Sequence, residues 1–167
     1  MTERPSRIAF VPLASIAPAD LVRMLTDADM RRHMPLAGDD WDEVKAVDWA
    51  KAKDGQWIEN GYGPWAITVG NEFAGWGGFQ KEGDEADLGL VLLPAYWGQG
   101  AAIFRELVQR GQTMDLGTIS VLLPPSRVRL KGLARLGFSP AGEIEYAGHR
   151  FLKFKLVRQV PHSSAQG

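Results

Sequence analysis

The chain has 167 residues, of which 45% are hydrophobic and 23% charged, and its formal net charge is −1 at pH 7. This composition is typical of one globular domain with its own core. The balanced charge argues against a nucleic-acid-binding protein, which usually carries a basic excess. The chain has no cysteine, which excludes disulfides, thiolate metal sites and cysteine nucleophiles. We expect a cytoplasmic location, since the charged N-terminus does not resemble a signal peptide and no apolar run is long enough for a membrane span.

The first half of the chain predicts a strand, two helices and a hairpin. The apolar run 7–13 predicts the first strand, and Pro18 suits the first turn of a helix. A second helix is predicted from Trp41, with Gly55 as a candidate end. The segment 70–72, Gly-Asn-Glu, separates two strand-like runs and is typical of a hairpin turn.

The second half alternates strands and helices. Residues 86–93 predict a fourth strand, and the stretch 92–107, "LLPAYWGQGAAIFREL", passes from its end into a helix. A fifth strand is predicted at 118–123, and a short helix ends at Gly137. One or two strands over 142–156 complete the pattern.

This order of elements predicts a mixed α+β fold. We expect a single domain over residues 1–156 and a flexible C-terminal tail over residues 157–167, where the periodicity is lost. No repeat or linker divides the chain.

The segment "GQGAA", residues 98–102, predicts an anion site at the start of a helix. The first N–H groups of a helix lack intrahelical partners and lie at the positive end of the helix dipole. Small residues would let a phosphate approach those N–H groups directly. The alternative is a strand-to-helix turn that needs glycine for its geometry alone.

Two other phosphate-binding motifs do not fit this segment. A P-loop requires Gly-Lys followed by Ser or Thr, and no such triplet follows Gly100. The dinucleotide-binding fingerprint requires a third glycine, and Ile103 occupies that position.

The segment "YWGQGAA" resembles the coenzyme A diphosphate loop of the GNAT superfamily of N-acetyltransferases. Gly100 and Ala102 match the last two fixed positions of the family pattern, whereas Trp97 stands where the family usually has Arg or Gln. The aromatic pair before Gly98 resembles the ribosomal-protein-alanine and spermidine acetyltransferases. "TDADMRRHM", "GPWAITVGNEFAGWGGF" and "LARLGF" resemble further segments of that branch in the same order.

The resemblance implies a GNAT-like fold and acetyl-CoA as co-substrate. The fold would be a mostly antiparallel mixed sheet of six to seven strands, flanked by about four helices and splayed between strands four and five. The pantetheine arm would lie in that splay, with Gly89 as a candidate bulge or packing glycine at its start. The implied coenzyme-binding residues are Leu90, Val91 and Leu92 of strand four, then Trp97, Gly98, Gln99, Gly100, Ala101 and Ala102, and finally Ser126 and Arg129.

Acetyl transfer to an amine needs a base, because a free alkyl amine is protonated at neutral pH. Asp87 stands where this branch often has Glu, and alternation places it on the same strand face as Gly89 and Val91. Glu85 is the nearest substitute on that face. A solvated strand edge is the alternative for both carboxylates. A backbone N–H of Val91 or Leu92 would polarise the thioester carbonyl.

The resemblance fails at the position of the usual acid. Leu133 occupies the place of the tyrosine that protonates the leaving thiolate in this family, and Ser126 replaces the usual asparagine. Ser126 remains a candidate catalytic residue that would cap the short helix and bond the pantetheine, although an N-cap role alone is an alternative. Tyr146 and His149 are candidate replacements for the acid, or ordinary surface residues.

The expected acceptor is a protein N-terminal amine or a small amine, and the acidic stretch Asp39–Glu43 could attract it or simply cap a helix. Trp41 is a candidate wall of the acceptor pocket. We expect no metal, nucleic-acid or membrane partner, and a homodimer is compatible with the sequence. A non-catalytic acyl-CoA-binding sensor or partner domain with the same fold is the alternative function.

Overall fold

The computed structural model describes residues 7–32, 40–146 and 148–157. Seven strands form one sheet, with five α-helices in the described ranges. The strands are β1 (Ile8–Val11), β2 (Pro64–Val69), β3 (Glu72–Glu82), β4 (Glu85–Leu92), β5 (Thr118–Leu123), β6 (Ser139–Tyr146) and β7 (His149–Val157). The helices are α1 (Pro18–Thr26), α2 (Ala28–Arg32), α3 (Glu43–Asn60), α4 (Gly100–Thr113) and α5 (Leu130–Arg135).

The strands lie in the order β1-β2-β3-β4-β5-β7-β6. Every neighbouring pair is antiparallel except β4 and β5, which are parallel. The parallel ladder has only two residue pairs, Ala86 with Ile119 and Asp87 with Ser120. Both strands continue beyond these pairs, so they separate and open a gap in the sheet. The predicted mixed sheet and its splay between strands four and five are therefore confirmed.

The two faces of the sheet carry separate apolar clusters. On β4 the even-numbered side chains, Leu88 among them, pack with α4 residues such as Ile103 and Leu107. The odd-numbered Val91 packs on the opposite face with Trp76 and with residues of α1 and α3. An even or odd residue number therefore shows on which face of the sheet a β4 side chain lies.

Helix α3 differs from the sequence prediction at its end. Gly55 lies inside the helix, which continues to Asn60. The chain leaves the helix at Gly61, which has the left-handed φ of 78° and donates its N–H to the Trp57 carbonyl. Glycine is favoured at Gly61 because this conformation is strained for residues with a Cβ.

The C-terminal segment after the short helix α5 forms a hairpin of two strands, β6 and β7. Val157, the first residue of the predicted tail, is the last residue of β7. The rest of that tail, residues 158–167, lies outside the described residues.

Candidate active site

The gap between β4 and β5 begins after Asp87 and Ser120, the last parallel pair. The antiparallel ladder from β3 to β4 continues past this point without a shift in register, up to Leu92. Gly89, predicted as a candidate bulge, therefore lies in a regular strand, and this prediction is wrong. Strand β4 stays paired with β3 while β5 separates from it.

The backbone groups of β4 alternate between β3 and the gap. The Leu93 N–H donates to the Ala74 carbonyl over 2.8 Å, which fixes the odd-numbered β4 residues as the hydrogen-bonded partners of β3. By the same alternation, the N–H and carbonyl groups of Leu90 and Leu92 point toward the gap. The N–H of Val91 is directed at Trp76 and is not the group that faces a ligand in the gap.

Residues at the start of α4 form a low surface beside the gap. Gly98, Ala101 and Ala102 are exposed, and Gln99, the N-cap residue, makes no capping hydrogen bond with its side chain. A Cβ built on Gly98 would meet no described atom within 4 Å. Gly98 does not have a positive φ, and Gly100 has the ordinary helical φ of −56°. Gly98 therefore leaves open space, whereas a Cβ on Gly100 would make an ordinary 3.8 Å contact with Leu92 Cδ1. Neither glycine is required by backbone geometry, which favours the anion site over the alternative of a simple turn.

Trp97 lies between this surface and β4. Its side chain is 49% exposed, and its Nε1 donates to the Leu92 carbonyl over 2.8 Å. The indole therefore already engages one of the backbone acceptors at the end of β4. The remaining gap-facing groups in this region are the Leu92 N–H and both backbone groups of Leu90.

Asp87 lies at the closed end of the gap, half-buried, and its Oδ1 accepts a hydrogen bond from Ser120 Oγ over 3.4 Å. Burial raises the pKa of Asp87 from its ordinary value of 3.8 to about 6, and the nearby negative charge of Glu82 raises it further in the same direction. The hydrogen bond from Ser120 opposes this shift. A carboxylate with this pKa is ionised at neutral pH and can still accept a proton readily.

Glu85, the substitute base considered from the sequence, is already paired. Its carboxylate contacts Lys155 Nζ at 2.8 Å and Lys153 Nζ at 3.3 Å, and its side chain is 15% exposed. The hydrogen bond with Lys155 lowers the pKa of Glu85. We name these three residues the Glu85–lysine cluster. Because its carboxylate is committed to two ammonium groups, Glu85 is a poor proton acceptor.

Ser126 does not cap the short helix, and this part of the prediction is wrong. It lies exposed in a 3-10 turn, Pro125–Arg127, whereas α5 begins only at Leu130 with Arg129 as its N-cap residue. Two consecutive prolines before Ser126 set the turn and delay the helix. Arg129 is exposed, and Leu133 is buried in the core with 6% exposure.

The candidate replacement acids lie together at the end of the β6–β7 hairpin. Tyr146 and His149 are cross-strand partners, and both are exposed. Tyr96, a tyrosine of the segment that joins β4 to α4, donates its hydroxyl to Glu72 Oε2 over 2.8 Å, so this hydroxyl is already engaged.

The acidic stretch before α3 has a structural explanation. Asp42 is the N-cap of α3 and accepts a hydrogen bond from the Lys45 N–H over 2.8 Å, while Asp40 pairs with Lys45 Nζ. Within the acidic stretch Asp39–Glu43, Asp42 is therefore the residue that caps the helix, and Asp39 lies outside the described residues. Trp41 is half-buried against the apolar cluster that contains Trp76 and residues of α1 and α3.

Within residues 7–32, 40–146 and 148–157, no group of three or more histidine, aspartate or glutamate side chains could hold a metal ion. No helix within these ranges has the length and apolar character that crossing a membrane requires.

Residues 7–126 match the family model of the acetyltransferase (GNAT) domain. This match covers most of the chain, from β1 to the turn that follows β5. Arg129 lies beyond it. No curated protein matches the sequence.

Solved structures share the fold at low sequence identity. An acetyltransferase from Agrobacterium tumefaciens is 20% identical with a TM-score of 0.64, and the match covers 95% of each chain. The ribosomal-protein-S18-alanine N-acetyltransferase of Escherichia coli is 16% identical with a TM-score of 0.60, covering 97% of this chain and 99% of that one. The microcin C7 self-immunity acetyltransferase MccE, solved with acetyl-CoA and AMP, is 11% identical with a TM-score of 0.65, covering 93% and 94%.

Proposed function

Because this chain belongs to the GNAT acetyltransferase family, we propose that it transfers the acetyl group of acetyl-CoA to a primary amine, with Asp87 as the general base. The observation that carries this proposal is the position of Asp87. Its carboxylate lies at the closed end of the gap between β4 and β5, and burial raises its pKa to about 6. Of the two candidate carboxylates on this face, Asp87 is the one not committed to lysine partners.

The coenzyme site in this proposal has two parts. The pantetheine arm lies in the gap and bonds the backbone of Leu90 and Leu92, whose polar groups point there. The diphosphate lies against the first turn of α4, at residues 97–102, where exposed small residues leave its N–H end accessible. Ser126 and Arg129 are exposed near the end of β5 and complete the proposed site.

The reaction follows from these positions. Asp87 takes a proton from the bound ammonium group of the acceptor, which frees the nitrogen lone pair. The nitrogen attacks the thioester carbonyl carbon and a C–N bond forms. As the C–S bond breaks, the nitrogen releases its second proton to solvent, which leaves a neutral amide. The Leu90 N–H, which also points into the gap, donates to the carbonyl oxygen as charge develops there. The Leu92 N–H lies five residues, roughly 16 Å, from Asp87 along β4 and is too far from an amine at that carboxylate. The thiolate of coenzyme A leaves, and it takes its proton from solvent or from an exposed acid such as Tyr146, because Leu133 has none to give.

The proposed acceptor is a protein N-terminal amine or a small-molecule amine. The closer assignment to the ribosomal-protein-alanine and spermidine branch rests on the aromatic pair before Gly98. A cytoplasmic location, a homodimer and a single domain over residues 1–156 stay predictions.

The test is thiol release from acetyl-CoA in the presence of a panel of primary amines and short peptides, with the isosteric variant Asp87→Asn as the matched control. Turnover that requires both the amine and Asp87 supports the proposal. Tight coenzyme A binding without turnover on any amine would favour a non-catalytic acyl-CoA-binding domain. Failure to bind coenzyme A, measured by calorimetry, would overturn both functions.

A further inference from the structure

We propose that Gly89 determines which amines reach Asp87, and that it admits primary amines with a second substituent on the nitrogen-bearing carbon. This inference rests on the proposed function. It adds a specificity-determining residue and a chemical class of acceptor.

Neither backbone conformation nor packing explains a glycine at position 89. Gly89 is not among the glycines with positive φ, and the β3–β4 register is regular on both sides of it. A Cβ built there would meet no described atom within 4 Å, apart from its chain neighbours. Gly78, its cross-strand partner, is different, because a Cβ there would lie 2.6 Å from the Gly63 carbonyl oxygen. Gly78 is required by packing, whereas Gly89 leaves an open space.

The open space lies beside the proposed base. Asp87, Gly89 and Val91 project to the same face of β4, with a spacing of about 6.6 Å between alternate residues. Strand β5 has already diverged at this point, since the last parallel pair is Asp87 with Ser120. Glycines at both cross-strand positions, 78 and 89, therefore leave a stretch of this face without side chains, next to the Asp87 carboxylate.

An acceptor whose nitrogen lies at this carboxylate can place its next atoms over Gly89, the neighbour of Asp87 on this face, because Gly89 carries no side chain. The nitrogen lies about 3 Å from the carboxylate when its proton is transferred, and the carbon that bears it is one bond further away. A straight-chain amine carries only hydrogens on that carbon and needs little lateral room. A branched carbon projects a substituent sideways, and the space over Gly89 can receive it.

The test compares two acceptors that differ by one methyl group on this carbon, glycinamide and alaninamide, within a panel that includes butylamine. We expect the wild-type protein to use alaninamide at least as well as glycinamide. Gly89→Ala should lower the ratio of kcat/KM values for alaninamide over glycinamide by about tenfold, the usual effect of one methylene in a filled pocket. Gly89→Val should lower it further, while the KM for acetyl-CoA stays unchanged.

Thermal denaturation of each variant is the control that shows whether the variant is folded. Because the added side chain meets open space and raises strand propensity, Gly89→Val should have an unchanged or higher Tm. Gly55→Ala is the matched control, since Gly55 also faces open space but lies inside α3. It should leave the alaninamide-to-glycinamide ratio unchanged.

The outcomes separate this inference from the proposed function. A wild-type preference for glycinamide and butylamine, or a ratio that Gly89→Val does not change, would overturn the inference alone. A wild-type protein that binds acetyl-CoA but neither acetylates nor binds any amine of the panel, by calorimetry with coenzyme A present, would overturn the proposed function as well.

Discussion

The hydroxyl of Ser120 donates to the carboxylate of Asp87 over 3.4 Å, across the last pair of a parallel ladder that is only two pairs long. Ser120 is 2% exposed, the only polar residue among the buried residues of the described part of the chain. Burial and the negative charge of Glu82 raise the pKa of Asp87, and this hydrogen bond lowers it, so Ser120 limits the proton affinity of the proposed base.

The first prediction concerns the pH dependence of acetyl transfer. With a pKa of about 6, Asp87 is protonated and inactive as a base below that pH, so kcat/KM should fall as pH drops through about 6. Asp87→Asn should lower kcat/KM by roughly 100- to 10,000-fold, the usual contribution of a general base. A pH profile of thiol release measures both effects. A variant with unchanged coenzyme A affinity and full activity would exclude Asp87 as the base.

The ionised carboxylate of Asp87 should also reduce the free energy of unfolding at neutral pH. The folded state holds the Asp87 proton up to about pH 6, whereas an unfolded chain releases it near 3.8. The folded state therefore binds more protons in this interval, and the free energy of unfolding falls as pH rises through it. The ionised carboxylate costs about 3 kcal/mol at pH 7 relative to pH 3.

Asp87→Asn removes this titrating group. The second prediction is that the variant has a higher free energy of unfolding than the wild type at pH 7.5, and that this difference is smaller at pH 4. Urea unfolding at the two pH values measures the difference. An Asn variant that loses stability at pH 7.5 would mean that the burial of this carboxylate is compensated in the folded state.

The third prediction concerns Ser120→Ala. Loss of the hydroxyl removes a hydrogen bond that lowers the pKa of Asp87, so the acidic limb of the pH–rate profile should move to higher pH. Activity should therefore fall more at pH 6.5 than at pH 8. Thr118→Val, which removes a hydroxyl from the same strand, is the matched control. An equal loss of activity at both pH values would indicate a general disturbance of the strand, without a positioning role for Ser120.

The fourth prediction concerns the Glu85–lysine cluster, which joins β4 to β7 across the short β4–β5 ladder. Glu85→Gln leaves Lys153 and Lys155 without their carboxylate, and should reduce the free energy of unfolding by about 1–2 kcal/mol. It also removes a negative charge that raises the pKa of Asp87, so the acidic limb should move to lower pH.

The shift expected for Glu85→Gln is opposite in sign to that of Ser120→Ala. Glu143→Gln is the control for the stability effect of Glu85→Gln, because Glu143 pairs with Arg150 at an exposed site where an ion pair contributes little to stability. Equal stability losses in the two variants would show that the cluster does not hold the sheet together at the gap.

The sequence predicts best where local chemistry determines structure. Gly70 and Asn71 have φ values of 59° and 68°, the left-handed conformation that these two residue types adopt most readily, and the hairpin turn was predicted from them. Strand β5 begins and ends where it was predicted, because the prolines that follow it stop the strand. The end of α3 was missed, since Gly55 and Gly61 are both plausible ends and only the left-handed conformation of Gly61 identifies the real one.

The site was predictable in part for the same reason. Asp87 and the segment 97–102 carry local signals, an acid on a strand and small residues before a helix. The partnership of Asp87 with Ser120 depends on the register between two strands that a whole helix separates along the chain, and no local pattern gives it. The pairing of Glu85 with Lys153 and Lys155 depends in addition on the position of β7. A polar residue inside the apolar run of β5 was the one available signal for Ser120.

The fifth prediction tests the start of α4 with an added negative charge. Ala101 is exposed in the first turn of this helix, where a carboxylate is favoured by the helix dipole. Ala101→Glu should therefore keep or raise the Tm. The same carboxylate would repel a diphosphate bound at that turn and should weaken coenzyme A binding by roughly 10- to 100-fold.

Calorimetry with two ligands separates this effect from a general disturbance of the site. Pantetheine lacks the diphosphate, so its affinity should not change in Ala101→Glu. Ala52→Glu places the same charge on an exposed position of α3 and should leave both affinities unchanged. If Ala101→Glu binds coenzyme A as tightly as the wild type does, the diphosphate does not lie at the first turn of α4.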